Sequence, residues 1–481
     1  MNYSATAMEA VAQPQPHVAM FAATGKGHLF PLIELARKLL RCQSFAVTVI
    51  IPDDGSSLEP QKDLLRTVPG TNLALLPPVS LDDIPPTAPI EIPIILSVTR
   101  SIPALRRVLA DLQSSVHLTA FIADVFGVHA FPMVKELGIQ IYLFQPSPAM
   151  MMSLVLHLPQ LDQSCTCQFR DLPEPVKLPG CVPVNGSDLF DPIQDRQSEV
   201  YKSVLEMFGH FKEADGVLIN SFPAMEEDTF KALEEACESG GFPPVYPIGP
   251  VIRSGSENCN SKEECLKWLD EQPDRSVLFV SFGSGGTLSS LQMKELAAGL
   301  EGSGQRFLLV ARRPNDLVRT GAYFSGKGEM DPGVYFPASF MEKVKAGKGF
   351  VVTNWVPQVE VLRHAAVGGF LTHCGWNSAL ESVVHGGVPL IAWPLFAEQK
   401  MNAVLLSEGL RVAVRVREGE DGVVDGDQIA KLVRKVVEGA EGAELRRRAR
   451  ELKEAAGAAM GEDGSCNKAV ADLARKVSGK K

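Results

Sequence analysis

The 481-residue chain lacks any apolar run longer than a buried strand, which excludes a membrane-spanning helix of about 20 apolar residues. Its first 16 residues contain no lysine or arginine, and they lack both the apolar segment of a signal peptide and the arginine-rich character of an organelle transit sequence. This segment is predicted to be a disordered leader. A soluble, cytoplasmic protein is expected.

The chain has fewer basic residues than acidic ones. The 57 acidic residues outnumber the 47 basic ones, and the net charge of −10 excludes a broad electrostatic attraction to nucleic acid. Any phosphate must therefore be held locally, by loops and helix ends. A monomer is expected.

No cluster of cysteine and histidine stands at zinc-binding spacing. Cys165 and Cys167 form a C-x-C pair, but no second pair or histidine cluster accompanies it, so we predict no metal site. The nine cysteines are odd in number and scattered through a chain without a secretion signal. This usage favours reduced thiols in a cytosolic compartment.

The length suits two domains, and alternating strand, turn and helix signals predict two doubly wound α/β domains. We predict an N-terminal domain over 17–250, a linker rich in Pro, Gly, Ser and Asn over 251–262, and a C-terminal domain over 263–460. Residues 461–481 are predicted to carry a last helix. Buried strands are predicted over 18–23, 47–51, 120–125, 139–144, 277–282, 307–311, 350–353, 369–372 and 388–393.

A polar turn follows the predicted strand 369–372 and leads directly into a helix. Ser378 and Glu381 stand at capping-box spacing in this helix, and its first N–H groups have no intrahelical partner. A helix N-terminus flanked by a histidine and short polar side chains predicts a phosphate-binding site. The glycine pair 386–387 is expected to stop the helix.

The first strand of the chain runs into a glycine-rich turn that ends at His28, with Pro31 expected in the first turn of the next helix. A neutral imidazole at the mouth of a sheet could take the proton of a hydroxyl group. Asp124 ends another strand and could fix the tautomer of His28. Spacing alone leaves open a loop histidine and a helix-capping aspartate.

The stretch 355–399 resembles the signature box of the plant family 1 UDP-glycosyltransferases. The match runs through W-x-P-Q, H-x-A-V-G-G-F-L-T-H-C-G-W-N-S, the glutamate three residues after that serine, and A-E-Q. The glycine-rich turn 282–287 is similar to a second donor-side motif of the family, and the resemblance extends from His17 to about Val477. The runs L-H-L-P-Q-L-D, E-P-V-K-L-P-G-C-V-P-V and F-D-P-x-Q-D-R are most similar to the branch of hydroquinone glucosyltransferases.

The resemblance implies a GT-B fold of two facing Rossmann-like domains, with the last helix, 465–477, returning to the first domain. It implies inverting, metal-independent transfer of glucose from UDP-glucose to a small phenol, without a cofactor, because a terminal glutamine such as Gln399 accompanies glucose in the family. His28 would be the general base and Asp124 its partner. In the donor site, Trp355 would stack on uracil, with Val356 beside it, and the ribose would be held by Gln358 and Glu381. The diphosphate would be bound by Ser284, His373, Asn377 and Ser378. The sugar would be contacted by Glu398, Gln399 and the backbone of Trp376. On the acceptor side the family match indicates Glu91, Phe126, Ser147 and Phe396, although Ser147 could equally contact the glucose.

One departure from the family pattern lies at Gly386-Gly387, where the box is one residue longer than usual. We expect the loop between helix and strand to absorb the extra residue. The D-x-D at 425–427 could suggest a metal-binding motif of another glycosyltransferase class, but its place before a helix favours an N-cap.

Two other functions stay open. A nicotinamide-dependent oxidoreductase would use the G-x-G turn at Gly25 and the acid at Asp53, although Phe30 replaces the third glycine of that fingerprint. A UDP-sugar binder without activity would keep the signature box but would not need His28 and Asp124 together.

Overall fold

The computed structural model describes residues 15–23, 26–41, 45–53, 68–85, 88–253, 255, 264–317, 331–353 and 355–478, without the side chain of Lys26. Most of the predicted leader and of the predicted linker lies outside these residues. Gly25 of the alternative G-x-G reading lies outside them as well.

Two parallel sheets form the framework of the described residues, as the predicted α/β class requires. The first has the order β3-β2-β1-β4-β5-β6-β7 and the second the order β10-β9-β8-β11-β12-β13. The strands are β1 (His17–Phe21), β2 (Ala46–Asp53), β3 (Thr71–Pro78), β4 (Leu118–Asp124), β5 (Gln140–Gln145), β6 (Gly216–Ile219), β7 (Val245–Pro247), β8 (Val277–Ser281), β9 (Arg306–Val310), β10 (Gly349–Val352), β11 (Val367–Thr372), β12 (Leu390–Ala392) and β13 (Ala413–Arg415).

Both sheets reverse their strand order at one point. In the first sheet β1 lies between β2 and β4, and in the second β8 lies between β9 and β11. Connections leave such a pair of strands toward opposite sides, which opens a crevice beyond their carboxyl ends. Ligand-binding residues are therefore expected just after β1, β4, β8 and β11.

Helices cover the sheets, most of whose strands are buried and rich in Val, Ile, Leu and Phe. The α-helices of the described part are α1 (Lys26–Arg41), α2 (Glu91–Ser115), α3 (Phe131–Glu136), α4 (Ala149–Ser164), α5 (Glu199–Gly209), α6 (Pro223–Glu238), α7 (Glu264–Asp270), α8 (Ser290–Ser303), α9 (Pro332–Tyr335), α10 (Ala338–Lys345), α11 (Gln358–Arg363), α12 (Trp376–Glu381), α13 (Gln399–Val404), α14 (Gly426–Val437), α15 (Ala440–Met460) and α16 (Ser465–Val477).

The last helix packs on the first sheet although it follows the second in the chain. Val470, Leu473 and Val477 of α16 are buried in the same hydrophobic cluster as Val18 and Val47 of the first sheet. Burial of each large apolar side chain contributes about 1.5–3 kcal/mol, so this contact holds the chain end in place.

Helix α1 begins earlier than the sequence predicted. Because it starts at Lys26, His28 lies in its first turn and Pro31 lies inside the helix. Proline has no N–H, so the carbonyl of Gly27 four residues earlier receives no helical hydrogen bond from it. That carbonyl instead accepts a bond of 3.2 Å from Asn377 Nδ2 of the second domain.

The predicted capping box at Ser378 is wrong. Helix α12 starts at Trp376 with Gly375 at its N-cap, and no side chain caps it. Ser378 and Glu381 are thereby freed to contact other groups.

The glycine pair Gly386-Gly387 lies at the end of a π-helical turn that continues α12. After α12 the chain makes a π-helical turn over Ser382–Gly386, and Gly387 ends it with φ of +62°. A π-turn takes up one more residue than an α-turn, so this turn has room for one more residue before the next strand.

The D-x-D segment is a helix cap, as predicted. The Asp425 side chain accepts hydrogen bonds from the backbone N–H groups of Asp427 and Gln428 at the start of α14.

Candidate active site

A pocket lies between the two domains at the carboxyl ends of both sheets. It brings together residues that the sequence places far apart, because the two points of strand-order reversal face each other. The predicted residues that line it are His28, Glu91, Phe126, Ser147, Ser284, Trp355, Val356, Gln358, His373, Trp376, Asn377, Ser378, Glu381, Phe396, Glu398 and Gln399.

Asp124 lies behind His28 and is fully buried. Its Oδ1 accepts hydrogen bonds from the backbone N–H groups of Phe126 and Gly127, and its Oδ2 accepts one from Ala23. Three backbone donors therefore fix the carboxylate at the end of β4.

His28 Nδ1 lies 3.2 Å from Asp124 Oδ2, and the imidazole meets the edge of the Phe126 ring at 5.1 Å between centroids. The angle of the His28–Asp124 contact is not that of a regular hydrogen bond. Hydrogen bonds of a general base are often poorly aligned before substrate binds and tighten in the complex. With Nδ1 toward Asp124, Nε2 is the nitrogen left for the pocket.

The imidazole of His373 is held between two glycines. A Cβ atom on Gly283 or on Gly375 would lie 2.4 Å from His373 Nε2, so neither position has room for a side chain. Gly283 also has φ of +75°, which L-residues rarely adopt. The polar turn after β8 and the polar turn after β11 therefore pack directly on each other.

Burial, with a smaller contribution from the nearby Arg312, lowers the pKa of His373 to about 4. The ring is consequently neutral at physiological pH and offers an N–H donor rather than a positive charge. Arg312 also lies at the pocket, and its Nε donates to the carbonyl of Gly283 at 3.1 Å.

A second corner of the pocket is built on Gln358 at the start of α11. Its Nε2 donates to Glu381 Oε2 at 2.7 Å and to Ser378 Oγ at 3.1 Å. Burial raises the pKa of Glu381, although the bond from Gln358 and the charge of Arg253 oppose that rise. A carboxylate oxygen and a hydroxyl are thus placed side by side in this corner.

Trp355 forms the rim of this corner and is 49% exposed, unusually so for a large aromatic side chain. The Arg253 guanidinium lies 5.3 Å from the centroid of the Trp355 ring and 3.5 Å from that of Phe30. These distances define cation–π contacts, which bring a cation and an aromatic platform to the same end of the pocket.

The turn before α13 places Glu398 and Gln399 in the pocket. Ala397 has φ of +58°, a strained conformation for a residue with a Cβ atom, and such strain is concentrated at functional sites. Gln399 Oε1 accepts hydrogen bonds from the backbone N–H groups of Leu395 and Phe396 at 2.9 and 3.1 Å. Its amide oxygen is therefore used by the protein, and Nε2 is the group left for a ligand.

Glu398 lies at the same turn, where Asn402 Nδ2 donates to its Oε1 at 3.2 Å. Burial raises the pKa of Glu398, against the opposing effects of this bond and of nearby His28. The extra residue at the π-turn has thus not removed Glu398 or Gln399 from the pocket.

The wall beside His28 is mostly apolar. It includes Phe126, Phe190, Met151 and Phe208, together with Glu91 at the first turn of α2. Burial raises the pKa of Glu91, and the charge of Asp191 adds to that rise. Such a wall fits a small aromatic molecule better than a sugar.

Two hydrogen bonds beside this pocket connect the second domain to the first. Trp376 Nε1 donates to the carbonyl of Asn220 at 2.7 Å, and Asn377 Nδ2 donates to that of Gly27. Trp376 and Asn377 both belong to the signature box, so the box also fixes how its domain faces the other.

The sequence analysis missed two pocket arginines and much of the apolar wall. Arg312 follows the end of β9, which is not one of the strands that the reversal of strand order indicates. Arg253 falls in the predicted linker, where no periodic pattern marks it. Phe190, Met207, Phe208 and Phe211 come from segments whose contact with the pocket depends on the tertiary fold.

Comparison with known proteins identifies the class. Residues 241–421 match the family described as UDP-glucoronosyl and UDP-glucosyl transferase. The chain is 49% identical over 466 residues to the hydroquinone glucosyltransferase of Rauvolfia serpentina, covering 97% of this chain and 98% of that protein. The protein therefore belongs to the UDP-glycosyltransferase family, and it is an enzyme of that class.

Solved structures show the same architecture. A UDP-glucosyltransferase from Polygonum tinctorium, in complex with 3,4-dichloroaniline, has a TM-score of 0.90 and 45% identity, with 98% of this chain and 100% of that chain covered. A Phytolacca americana enzyme in complex with UDP-2-fluoro-glucose and pterostilbene has a TM-score of 0.87 and 40% identity, covering 96% and 100%. The GT-B prediction is confirmed.

Family membership overturns the nicotinamide and the inactive-binder alternatives. In the part of the chain that the structure describes, no helix has both the length and the apolar character needed to cross a membrane.

Proposed function

We propose that the enzyme transfers glucose from UDP-glucose to a hydroxyl group of a small phenol, with inversion, giving a β-O-glucoside. The observation that carries this proposal is the position of His28, backed by Asp124, between the signature-box side of the pocket and its apolar wall. A base in that position can reach an acceptor hydroxyl that faces a sugar held by the box.

The proposed reaction is a single displacement. The phenol oxygen forms a bond to the anomeric carbon, the bond from that carbon to the diphosphate oxygen breaks, and UDP leaves with the electron pair. His28 Nε2 takes the phenolic proton, and the Asp124 carboxylate stabilises the imidazolium that forms. The transition state has the oxocarbenium character that glycosyl transfer shares with glycoside hydrolysis.

On the donor side, Trp355 and Val356 contact the uracil, and Gln358 and Glu381 hold the ribose hydroxyls. Burial raises the pKa of Glu381 because its carboxylate has lost hydration. Hydrogen bonds from sugar hydroxyl groups would replace that hydration and stabilise the carboxylate. Arg253 lies beside the Trp355 ring at the uracil end of the pocket.

The diphosphate is bound by Ser284, Asn377, Ser378 and neutral His373. Helix α12 has six residues, so its dipole supplies only part of the positive potential. We assign the remaining charge to Arg312, which is always protonated in proteins and donates a hydrogen bond to the turn that contacts His373.

On the acceptor side, Phe126, Phe396 and the apolar wall hold the aromatic ring, with Glu91 and Ser147 as polar contacts. The relative from Rauvolfia is a hydroquinone glucosyltransferase, and the Phytolacca structure holds the phenol pterostilbene. These two observations support a phenol as acceptor.

We further propose that the enzyme acts as a cytoplasmic monomer, without a cofactor or a catalytic metal ion. The described cysteines are all free thiols, which supports a reducing compartment. Within the described residues, the pocket residues that would face the diphosphate are arginine, histidine, asparagine and serine.

The proposal is tested by incubating the protein with UDP-glucose and a panel of phenols, followed by mass detection of products that gain one hexose and by NMR of the anomeric proton. We expect β-glucosides of small phenols, with one UDP released per product. An α-glucoside, or UDP release without any glucosylated phenol, would contradict the proposed function.

Chelation is expected to leave the transfer rate nearly unchanged. Arg312 and the neutral donors around it stabilise the leaving diphosphate without a metal ion, so EDTA removes nothing that the reaction uses. The measurement is the initial rate before and after EDTA treatment. Loss of most activity, restored by manganese, would show that a metal ion takes part.

UDP-glucose is expected to be preferred over UDP-galactose by about 10- to 100-fold in kcat/KM, the usual cost of one unpaired buried polar group. Gln399 Nε2 and Glu398 offer one donor and one acceptor at fixed positions, because the backbone already holds Gln399 Oε1. UDP-glucuronate is expected to react more slowly still, since its carboxylate approaches Glu398. Equal rates with UDP-galactose would mean that these two side chains do not contact the sugar.

A further inference from the structure

Outside the pocket, the fold brings together two histidines and a glutamate that lie far apart in the sequence. His129, Glu206 and His210 each offer one ligand atom, and the three atoms lie within 4.8 Å of one another. His129 belongs to the 3-10 turn Gly127–Ala130 after β4. Glu206 lies in α5 and His210 one turn later, so the two side chains share a face.

The chemistry of these side chains suits a metal ion. His129 Nε2 is buried and accepts or donates no hydrogen bond within the described part of the structure. The His129 and His210 rings meet at 5.9 Å between centroids.

His210 has the outer partner that metal-bound histidines usually have. Its Nδ1 lies 2.7 Å from Glu213 Oε1. A carboxylate at one ring nitrogen fixes the tautomer in which the other nitrogen is the free ligand, and it raises the basicity of that ligand. The sequence could not show this arrangement, because the C-x-C pair was its only visible metal-like spacing.

We propose that His129, Glu206 and His210 form a binding site for a divalent transition metal of the zinc type. Two imidazole nitrogens and one carboxylate oxygen suit Zn²⁺, Co²⁺ or Ni²⁺ rather than Ca²⁺ or Mg²⁺. Tetrahedral coordination with metal–ligand distances of about 2.0–2.1 Å places the ligand atoms about 3.4 Å from one another. The three side chains must therefore move slightly closer together to bind the ion. The exposed Glu206 side chain can make most of that movement.

The site lies on the outer side of the proposed acceptor wall. Phe126 precedes the turn that carries His129, and Met207, Phe208 and Phe211 alternate with the site residues around the end of α5. A bound ion would tie these two segments together behind the wall. It would stabilise the first domain without taking part in transfer, so this site is compatible with an EDTA-resistant rate.

The test uses the full-length protein without a histidine tag, cleared of metal by chelator and titrated with Co²⁺. We expect one equivalent to bind with visible d–d bands and without a thiolate charge-transfer band, and the apparent Tm to rise by a few degrees. His129→Gln and His210→Gln should each abolish this binding. Glu213→Gln should weaken it by about 10- to 100-fold, the usual effect of losing an outer partner.

Two controls separate this site from others. His117→Gln makes the same chemical change at an exposed histidine and should bind Co²⁺ like the parent. In the parent protein the Sγ atoms of Cys165 and Cys167 lie 3.8 Å apart. The double variant Cys165→Ser, Cys167→Ser should also retain the site. Binding that survives in both histidine variants, or that disappears with the cysteines, would overturn the proposal, as would the absence of Co²⁺ binding by the parent protein.

Discussion

Replacement of His28 by alanine is expected to lower turnover by roughly 10²- to 10⁴-fold, the usual contribution of a positioned general base. His28 is the imidazole in the pocket that contacts a buried carboxylate, at 3.2 Å from Asp124. Its side chain lies beside the apolar wall, on the proposed acceptor side of the pocket, so UDP-glucose affinity should stay nearly intact. Steady-state kinetics and calorimetric titration with UDP measure the two quantities separately.

Asp124→Asn is expected to slow turnover as well, and it should also lower the stability of the first domain. Both carboxylate oxygens accept backbone N–H bonds, so the new amide NH2 group must face at least one of those donors. A buried unsatisfied donor costs about 1–3 kcal/mol. Denaturant unfolding of this variant therefore has to accompany its kinetics.

The double variant distinguishes a catalytic pair from two independent residues. If Asp124 acts through His28, the double variant should be little slower than His28→Ala, since residues that act as a unit are not additive. Multiplied losses would contradict the assignment. So would a His28→Ala variant whose main defect is weaker UDP binding.

Much of the framework could be predicted from the sequence. The nine predicted strands are all present, with ends within two residues of those predicted, because buried parallel strands form short runs of Val, Ile, Leu and Phe between turn residues. The sequence analysis did not assign β3, β6, β7 and β13. Strand β3 is largely solvent-accessible, and β6, β7 and β13 have only three or four residues, too few for a period to be recognised.

The site residues were predictable where a motif fixes them and not where packing does. The signature box indicated the donor side, and its residues do line the pocket. The roles of Ser378 and Glu381 in a capping box were wrong, because a cap depends on where the helix starts, and that start lies two residues before Ser378. The charge of His373 could not be read from the sequence either, since its low pKa results from burial.

Gly283→Ala is expected to raise the KM for UDP-glucose by roughly tenfold or more, with a smaller effect on the KM for the phenol. The new Cβ atom would lie 2.4 Å from His373 Nε2, and the imidazole cannot retreat because Gly375 packs on it as closely. The turn after β8 and the turn after β11 must then separate. Ser284 lies on the first turn, Arg312 is hydrogen-bonded to that turn at Gly283, and His373 lies on the second turn. The proposed diphosphate site would therefore lose contacts from both turns.

Backbone strain has to be separated from this clash, because alanine at φ of +75° costs about 1–2 kcal/mol by itself. Gly304→Ala is the matched control. Gly304 has φ of +73° at the end of α8, and a Cβ atom there would meet nothing within 4 Å. It should lose stability to a similar degree and keep the KM of the parent enzyme. If both variants raised the KM for UDP-glucose equally, general strain and not the packing of His373 between two glycines would account for the loss, and the proposed diphosphate site would have to be placed elsewhere in the pocket.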